Sequence, residues 1–404
     1  MIFLLLDLVL IIVLARLLGG LARRLGQPAV IGEIAAGILA GPTILGAGLS
    51  SAIFPAEVNP QLTALANIGV VIFMFLAGLE IDQAQLGGSG RSIVAVALSA
   101  FTTPFVLGCA IALGPLARHH DGNELGFTLF IGCALAVTAF PVLARILQDR
   151  GLFTARLGQL SLASAALADV LAWCALALVF TLARPEFDDH WRLLLLVPLV
   201  AALWWVVRPA LARATARKHS EIEMILAGIS GAMLTAAVTE WMGLHLIFGA
   251  FLFGVVFPRS ERPVVEPGAQ LISSLFLPAF FVVAGLRVDL SGLDRAAIVE
   301  ALVIVAAAVA GKMGGTYLAA RLCRLDRRTA GALAALMNTR GLTELVILNV
   351  GLSIGVIDTQ LYSVLVLMAL ITTAMTGPLL TGFGVRRPAS PEAEVMGPHA
   401  ATQM

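Results

Sequence analysis

Charged residues are scarce in this chain of 404 residues, which is 59% hydrophobic and only 13% charged. A soluble domain carries about twice that charged fraction. With a mean hydropathy of +0.96, this scarcity excludes a soluble fold, because such a fold cannot bury so much apolar surface, whereas a bilayer accepts it. The net charge of +1 gives no sign of nucleic acid as a partner.

Cysteine is also sparse, and its four positions are scattered: Cys109, Cys133, Cys174 and Cys323. Without a CxxC pair, the sequence suggests neither a disulfide framework nor a zinc site. The HExxH motif of metalloproteases and the GxxxxGKS/T motif of ATPases are absent as well. We therefore expect no enzyme activity and no cofactor.

Apolar runs long enough to cross a bilayer, about 20 residues each, recur along the chain. We predict thirteen transmembrane helices, near 3–19, 28–46, 62–79, 92–114, 126–147, 156–182, 193–212, 221–240, 243–258, 267–286, 295–320, 329–350 and 360–383. The first run lacks the positive charge that begins a signal peptide, and Arg16, Arg23 and Arg24 follow it. We therefore expect it to be a helix that enters the membrane from outside.

The basic residues predict the orientation independently. Most of the 26 Lys and Arg residues fall in alternate loops on one side of the predicted helices, and basic loops stay in the cytoplasm. The sequence thus predicts an outer N-terminus, a cytoplasmic C-terminus and a multi-pass protein of a cell membrane, which we expect to be a bacterial inner membrane. The segment 384–404 is expected to be a short, disordered cytoplasmic tail.

Two motifs occur twice, in the same order. Ala77-Gly-Leu-Glu-Ile-Asp82 ends predicted helix 3, and Ala284-Gly-Leu-Arg-Val-Asp289 ends predicted helix 10. The glycine spacing of helix 2 returns in helix 9, as Gly26, Gly32 and Gly37 against Gly243, Gly249 and Gly254. The copies are seven helices apart and so have opposite orientations. Inverted repeats are typical of secondary transporters, whose substrate sites lie near the midplane between the repeats.

Two charged residues lie deep inside predicted helices. Asp169 is in the middle of helix 6, where burial disfavours a bare carboxylate charge. Either a proton or a cation can neutralise it, but not both, so Asp169 can couple their movements. The alternative is a structural carboxylate satisfied by hydroxyl groups. Lys312 lies in Gly311-Lys-Met-Gly-Gly315 of helix 11; the alternative for this residue is a lysine that snorkels to the interface.

Two predicted helices contain breaks. In helix 5, within Thr138-Ala-Phe-Pro-Val142, the proline removes an intrahelical hydrogen bond. Helix 12 contains Asn338-Thr-Arg-Gly-Leu342, and the two breaks occupy matching positions in the two halves, as in a transporter site. The alternative is a tolerated proline kink and a polar helix turn. The residues that we expect to support the breaks are Pro141, Asn338, Thr339, Arg340 and Glu344. Arg340 and Glu344 are four residues apart, a spacing that allows them to pair on one helix face.

Other polar residues of the apolar runs are weaker candidates. Thr138 is placed to offer an oxygen ligand to a cation at the first break. Glu33 in helix 2 and Ser164 in helix 6 are candidates for an ion path, although a structural hydrogen bond explains Glu33 equally well. His119 and His120 fall in an outer loop, where we expect them to be solvated.

The sequence resembles the monovalent cation:proton antiporter superfamily, in particular the branch of the plant cation/proton exchangers and their bacterial relatives. The resemblance covers about residues 25–383. Its most specific stretches are Gln27-Pro-Ala-Val-Ile-Gly-Glu-Ile34, Val137-Thr-Ala-Phe-Pro-Val-Leu-Ala-Arg-Ile-Leu147, Leu277-Pro-Ala-Phe-Phe281 and Leu336-Met-Asn-Thr-Arg-Gly-Leu-Thr-Glu-Leu345.

The resemblance implies a single transmembrane antiporter domain over 1–383, all-α, with inverted repeats and two crossing broken helices. It implies a homodimer in the lipid membrane, whose dimer panel comprises about 1–90 and 221–290. A moving core of about 91–182 and 291–383 would slide against the panel like an elevator, with helix 193–212 as a linker. No cofactor is implied.

The resemblance also assigns roles to single residues. The family's ion-binding acid corresponds to Asp169, and the lysine of its Gly-Lys motif corresponds to Lys312. Many electrogenic members have a second acid just before the first, and many electroneutral members have asparagine there. This chain has Ala168. Lys312 therefore lacks the usual partner, which leaves the number of protons per cation open.

The resemblance thus implies exchange of Na⁺ or K⁺ for H⁺, and the residues do not distinguish the two cations. One alternative is a potassium efflux system of the same superfamily, although no C-terminal nucleotide-binding domain follows in this sequence. Another is a sodium-coupled symporter of an organic anion, since inverted repeats and broken helices are compatible with it.

Overall fold

The computed structural model describes residues 2–55, 58–80, 90–119, 123–153, 155–183, 191–215, 220–242, 246–291 and 295–385, whose regular elements are all helical. The α-helices are α1 (Ile2–Arg24), α2 (Ala29–Ala40), α3 (Pro42–Ile53), α4 (Asn59–Glu80), α5 (Gly90–Leu113), α6 (Glu124–Ala136), α7 (Phe140–Asp149), α8 (Arg156–Ala183), α9 (Trp191–Leu194), α10 (Leu196–Ala202), α11 (Arg208–Thr215), α12 (Glu221–Trp241), α13 (Leu246–Val256), α14 (Arg262–Leu286), α15 (Arg295–Val309), α16 (Gly315–Leu322), α17 (Arg327–Met337), α18 (Leu342–Ser353) and α19 (Thr359–Gly382). Two π-helical turns, Leu203–Val207 and Ala310–Gly314, join α10 to α11 and α15 to α16.

Each predicted transmembrane segment coincides with one or more of these helices, which confirms the all-α prediction. Within the described ranges, nine helices are long and apolar enough to cross a membrane. Four shorter apolar helices accompany them: Ala29–Ala40, Glu124–Ala136, Leu246–Val256 and Thr343–Ser353. The count of thirteen crossings stays a prediction, since it depends on these short helices. Most of the predicted tail and His120 lie outside the described residues.

Matching glycines of the two repeats make matching contacts. Helix α2 crosses α14 where Gly37 meets Gly285, and α13 crosses α4 where Gly254 meets Gly78. A Cβ atom on Gly37 would lie 2.7 Å from Cα of Gly285, and one on Gly254 would lie 2.9 Å from Cα of Gly78. Only glycine permits such an approach of two backbones. Because these four positions are the repeated ones, each repeat supplies one partner to each of two equivalent crossings.

The described helices pack as two groups. Helices α1, α2, α4 and α12–α14 pack mainly on one another, with α14 lying against both α2 and α4. Helices α5–α8 and α15–α19 form the second group, in which α5 packs on α6, α8 and α16. Contact between the groups includes α14 against α18. The two broken helices both belong to the second group.

The expectation that His119 is solvated is wrong. Its side chain is only 5% exposed, because Nδ1 lies 2.7 Å from Asp358 Oδ2 and Nε2 lies 3.1 Å from Glu300 Oε2. Arg118 pairs with the same Glu300 at 2.8 Å. The two carboxylates come from α15 and from the residue that caps α19. The packing of distant helices therefore creates this cluster, and the local sequence around His119 does not show it.

Candidate functional site

Two broken helices cross in the middle of the second group. Helix α6 ends at Ala136 and α7 begins at Phe140, while α17 ends at Met337 and α18 begins at Leu342. The non-helical segments between them are joined by hydrogen bonds: Ala139 N donates to Thr339 O (3.1 Å) and Thr343 Oγ1 donates to Thr138 O (3.3 Å). Both predicted breaks are therefore present, and they contact each other.

Pro141 does not kink a continuous helix. It is the second residue of α7, and in a first turn the missing N–H of proline removes no intrahelical bond. The chain instead leaves the helix four residues earlier, at Val137, whose φ of −62° and ψ of 142° are extended. The break therefore frees the carbonyl groups at the end of α6, which need partners in an apolar environment.

Two cations satisfy the freed carbonyl groups of α6. Arg340 Nη1 donates to Ala134 O (2.9 Å), and its Nη2 donates to Leu135 O (2.6 Å). Lys312 Nζ donates to Ala136 O. Positive charge at a helix C-terminus is favourable, because the free carbonyl groups carry partial negative charge there. Arg340 of the second break and Lys312 of the π-helical turn thus supply the hydrogen-bond donors for the last carbonyl groups of α6.

The arginine also has a carboxylate partner on the next half-helix. Arg340 Nη1 lies 3.0 Å from Glu344 Oε1, and both side chains are fully buried. The predicted pairing at a spacing of four residues is therefore present. A charge with no access to water is stable only when it is paired and hydrogen-bonded, and Arg340 meets this condition through three acceptors.

Helix α19 holds the second break in place. Thr373 Oγ1 donates to Arg340 O (2.8 Å) and accepts from Arg340 N (3.0 Å). Asn338 Nδ2 donates to Thr372 O (3.4 Å), and Thr339 Oγ1 donates to Leu336 O (2.7 Å). The unwound backbone of this break is therefore supported by hydroxyl and amide groups.

Asp169 lies beside the crossing on α8 and is 4% exposed. The backbone N–H of Phe140, at the start of α7, hydrogen-bonds its carboxylate, and Lys312 is a close charged neighbour. Yet Asp169 Oδ1 has no hydrogen-bond partner within the described residues, and neither has Thr138 Oγ1. Asn338 Oδ1 and Glu344 Oε2 are in the same situation. Buried oxygens without a partner are rare in native structures.

This set of oxygens suits a small hard cation. Carboxylate, hydroxyl and amide oxygens are the ligands that such ions prefer. When all four charged groups are ionised, Asp169 and Glu344 balance Lys312 and Arg340, so that one proton or one cation at Asp169 adds one positive charge. The two loaded states then carry equal charge. The carboxylate of Asp169 can therefore hold either a proton or a small cation, one at a time.

The remaining predicted residues lie apart from the crossing. Ser164 Oγ donates to Ile93 O (3.4 Å) and so joins α8 to α5. Glu33 lines a cavity of about 450 Å³ between the first group of helices and α7, which contributes Val142 and Ala144. Arg16 and Arg23 lie in the same cavity, which places it at the predicted cytoplasmic end. Ser164 thus joins two helices, whereas Glu33 lines a cavity at the predicted cytoplasmic end.

Sequence reasoning missed the hydroxyl groups that support the crossing. Thr343 and Thr373 are buried, and their hydroxyl groups bond the unwound backbone. Their signal was a pair of adjacent threonines inside the apolar run of predicted helix 13, together with a threonine that directly follows the second break. Hydroxyl groups in an apolar helix are common enough that this signal has little weight by itself.

Comparison with known proteins identifies the family. The family model described as "Sodium/hydrogen exchanger, transmembrane" matches residues 9–384. The chain belongs to this sodium/hydrogen exchanger family. This membership, with the apolar helices, establishes a multi-pass membrane protein of the monovalent cation:proton antiporter superfamily and confirms the resemblance seen in the sequence.

Two relatives and one solved structure illustrate the match. The Na⁺/H⁺ antiporter NhaS4 of Synechocystis is 38% identical over 93% of this chain and 95% of its own length. Cation/H⁺ antiporter 17 of Arabidopsis thaliana is also 38% identical, and this chain spans about half of its length, 48%. The sodium proton antiporter MjNhaP1 of Methanocaldococcus jannaschii superposes with a TM-score of 0.66 over 94% of this chain and 96% of its own, at 16% identity. That last similarity concerns the fold alone.

Proposed function

We propose that the chain exchanges a monovalent cation, Na⁺ or K⁺, for H⁺ across the membrane. The observation that carries this proposal is a pair of buried oxygens at the crossing of the broken helices, Asp169 Oδ1 and Thr138 Oγ1, which have no hydrogen-bond partner in the part of the chain that the structure describes. The names of the relatives support it, because one is a Na⁺/H⁺ antiporter and the other a cation/H⁺ antiporter. The superfamily thus supplies the reaction class, and the geometry supplies the residues.

In this mechanism Asp169 holds either a proton or the cation. Thr138 Oγ1 and backbone carbonyl oxygens of the break would complete the shell of the cation. Lys312 and Arg340 hold the end of α6, so that the oxygens of the break keep their positions while the ion changes. Lys312 also offsets the ionised carboxylate between the two loaded states. A cation and a proton therefore compete for one site, which couples their movements.

We further propose that the two groups of helices are the panel and the core of an elevator. The proposed panel is about 1–90 and 221–290, the proposed core is about 91–182 and 291–383, and 193–212 links them. Two observations support this division. The helices pack mainly within the groups, and a cavity of about 450 Å³ separates the panel from α7. Homodimerisation through the panel, with lipid around the dimer, belongs to the same proposal.

The experiment is dye-reported proton flux in proteoliposomes. Na⁺, K⁺, Li⁺ and Rb⁺ are added in turn to liposomes that hold a preformed proton gradient. We expect at least one of these ions to dissipate the gradient without any organic solute. A gradient that responds to no cation, or only to a cation together with an organic anion, would contradict the proposal.

A further inference from the structure

Three hydrogen bonds join the panel to the core at the predicted outer end. Tyr362 Oη donates to Ala284 O (2.9 Å), and Arg287 Nη1 donates to Asn349 Oδ1 (2.9 Å). The backbone N–H of Asp289 donates to Ser363 Oγ (2.9 Å). The donors and acceptors come from the end of α14 on one side and from α18 and α19 on the other. We name this set of six residues the outer latch.

The opposite end of the same interface is different. Towards the predicted cytoplasm, panel residues Phe73, Leu76 and Phe281 line the cavity that core residues Val142 and Ala144 close from the other side. Among the described residues one hydrogen bond joins the groups at this end, from Gln27 Nε2 to Ala374 O (3.3 Å). The groups are therefore joined more firmly at the outer end, where three hydrogen bonds connect them, than at the end that holds the cavity. An elevator whose site opens to one side at a time requires such a difference, and it must reverse when the site opens outwards.

The tyrosine of the latch is an unusual residue for this chain. The sequence has 20 phenylalanines but only 2 tyrosines, and a fully buried phenol group is costly unless its hydroxyl is bonded. Tyr362 is 0% exposed, and its hydroxyl donates to Ala284 O. It also lies 3.5 Å from Asn349 Oδ1, the acceptor of Arg287. The hydroxyl therefore adds to the outer latch a hydrogen bond that a phenylalanine at position 362 could not make.

We propose that the outer latch holds the outer side closed and that Tyr362, Arg287 and Asn349 set the ratio of inward-facing to outward-facing protein. This inference rests on the proposed exchange only in assuming that the core moves. When the core moves, Tyr362 loses Ala284 and Asn349 loses Arg287, so the strength of the latch opposes outward opening. The latch residues do not touch the transported ion. They act on the population of the state in which the ion is reached from outside.

The test compares Tyr362→Phe with Tyr317→Phe. Both variants lose one phenolic hydroxyl, but Tyr317 is 37% exposed on α16 and lies outside the latch. Cation-driven proton flux is measured in membrane vesicles of the two opposite orientations. Loss of one hydrogen bond increases the outward-facing population about fivefold. The half-saturating cation concentration on the outer side should then fall about fivefold in Tyr362→Phe, because apparent affinity follows the competent fraction.

A second measurement does not depend on transport. Hydrogen–deuterium exchange of residues 284–291 and 359–363 is followed in the same variants, each also combined with Asp169→Asn. We expect faster exchange of both segments in Tyr362→Phe and in Asn349→Ala, and unchanged exchange in Tyr317→Phe. Should Tyr362→Phe fail to fold, Asn349→Ala carries both measurements.

The outcomes separate the two proposals. Unchanged exchange of both segments in Tyr362→Phe and Asn349→Ala overturns the latch, whatever the flux measurements give. An outer affinity that stays constant while the wild-type protein transports also overturns it. Faster exchange of both segments with no cation-driven flux in any variant supports the latch and counts against the proposed function.

Discussion

The two broken helices have the same geometry but opposite chemistry. The first break, between α6 and α7, contributes neutral groups: backbone carbonyls and the hydroxyl of Thr138. The second break, between α17 and α18, contributes the buried ion pair of Arg340 and Glu344. Within the described residues, Thr138 Oγ1 of the first break has no hydrogen-bond partner, and Asn338 Oδ1 and Glu344 Oε2 of the second break have none either. The difference is that the second break supplies charge to the first, at Ala134 O and Leu135 O.

This difference shows how a repeated fold yields a single site. Repetition fixes the backbone, as the matching contacts of Gly37 with Gly285 and of Gly254 with Gly78 show. The side chains differ at the corresponding breaks. In the proposed mechanism the first half binds the ion, and the second half holds the first break in place. Substitutions at the first break should therefore alter ion binding, and substitutions at the second should alter stability.

The largest effect is expected at Asp169, the carboxylate of α8 that lies beside the first break. Asp169→Asn should reduce exchange to the level of empty liposomes, because a neutral amide cannot alternate between proton and cation. Folding should be retained, since asparagine has nearly the same volume. The measurement is dye-reported proton flux. Asp7→Asn is the matched control, because Asp7 is also buried, at 3% exposure, but lies on α1; an equal loss in both variants would refute the assignment.

A substitution at the second break should lower the stability of the protein. Arg340→Gln leaves Glu344 and two carbonyl groups of α6 without their partner, and removal of one member of a buried ion pair costs about 3–5 kcal/mol. We expect a much lower melting temperature in detergent. Arg262→Gln is the control, since the Arg262–Glu266 pair has the same spacing but side chains that are 34% and 35% exposed; pairs of that kind contribute about 0–1 kcal/mol. Similar melting temperatures for the two variants would show that the second break is not held by its charges.

Thr138→Ala tests whether the first break contributes a ligand. Loss of one oxygen should raise the half-saturating cation concentration about five- to tenfold, with a smaller change in maximal rate. Thr128→Ala is the control, because Thr128 lies on α6, the half-helix that leads to this break, and its hydroxyl is also buried without a described partner. An unchanged half-saturating concentration in Thr138→Ala would remove this hydroxyl from the site.

The smallest expected effect concerns charge per cycle. Ala168 cannot titrate, so α8 offers one carboxylate at the crossing, and one proton exchanges for one cation if Lys312 stays protonated. Exchange should then be independent of voltage, whereas one net charge moved across 100 mV corresponds to about 2.3 kcal/mol. The measurement is flux at clamped potentials with matched ion gradients. A voltage dependence that disappears in Lys312→Gln would instead make Lys312 a second proton carrier.

Much of this site could be predicted from the sequence, because bilayer burial makes each polar residue informative. Asp169, Lys312 and both breaks stood out as polar or helix-breaking groups inside apolar runs. The pairing of Arg340 with Glu344 followed from their spacing of four residues. The sequence also predicted inverted repeats, and the repeated glycines make matching contacts in the structure.

The remainder depends on which distant groups come together. The sequence left the partner of Lys312 open, and its ammonium donates to Ala136 O, a backbone atom that no sequence pattern marks. His119 is buried by carboxylates that are more than 180 positions away. The outer latch pairs a tyrosine with a backbone carbonyl 78 positions away. Contacts to backbone atoms leave no sequence signature, because every residue has a carbonyl group.

The central claim is that one carboxylate binds a proton or a cation but not both. The most direct test is proton release from the purified protein in weakly buffered detergent solution when NaCl or KCl is added, with choline chloride as the ionic-strength control. We predict that the transported cation releases protons from the wild-type protein and that Asp169→Asn releases none. Equal proton release from the two proteins, or cation binding to the wild-type protein without any release, would contradict the account.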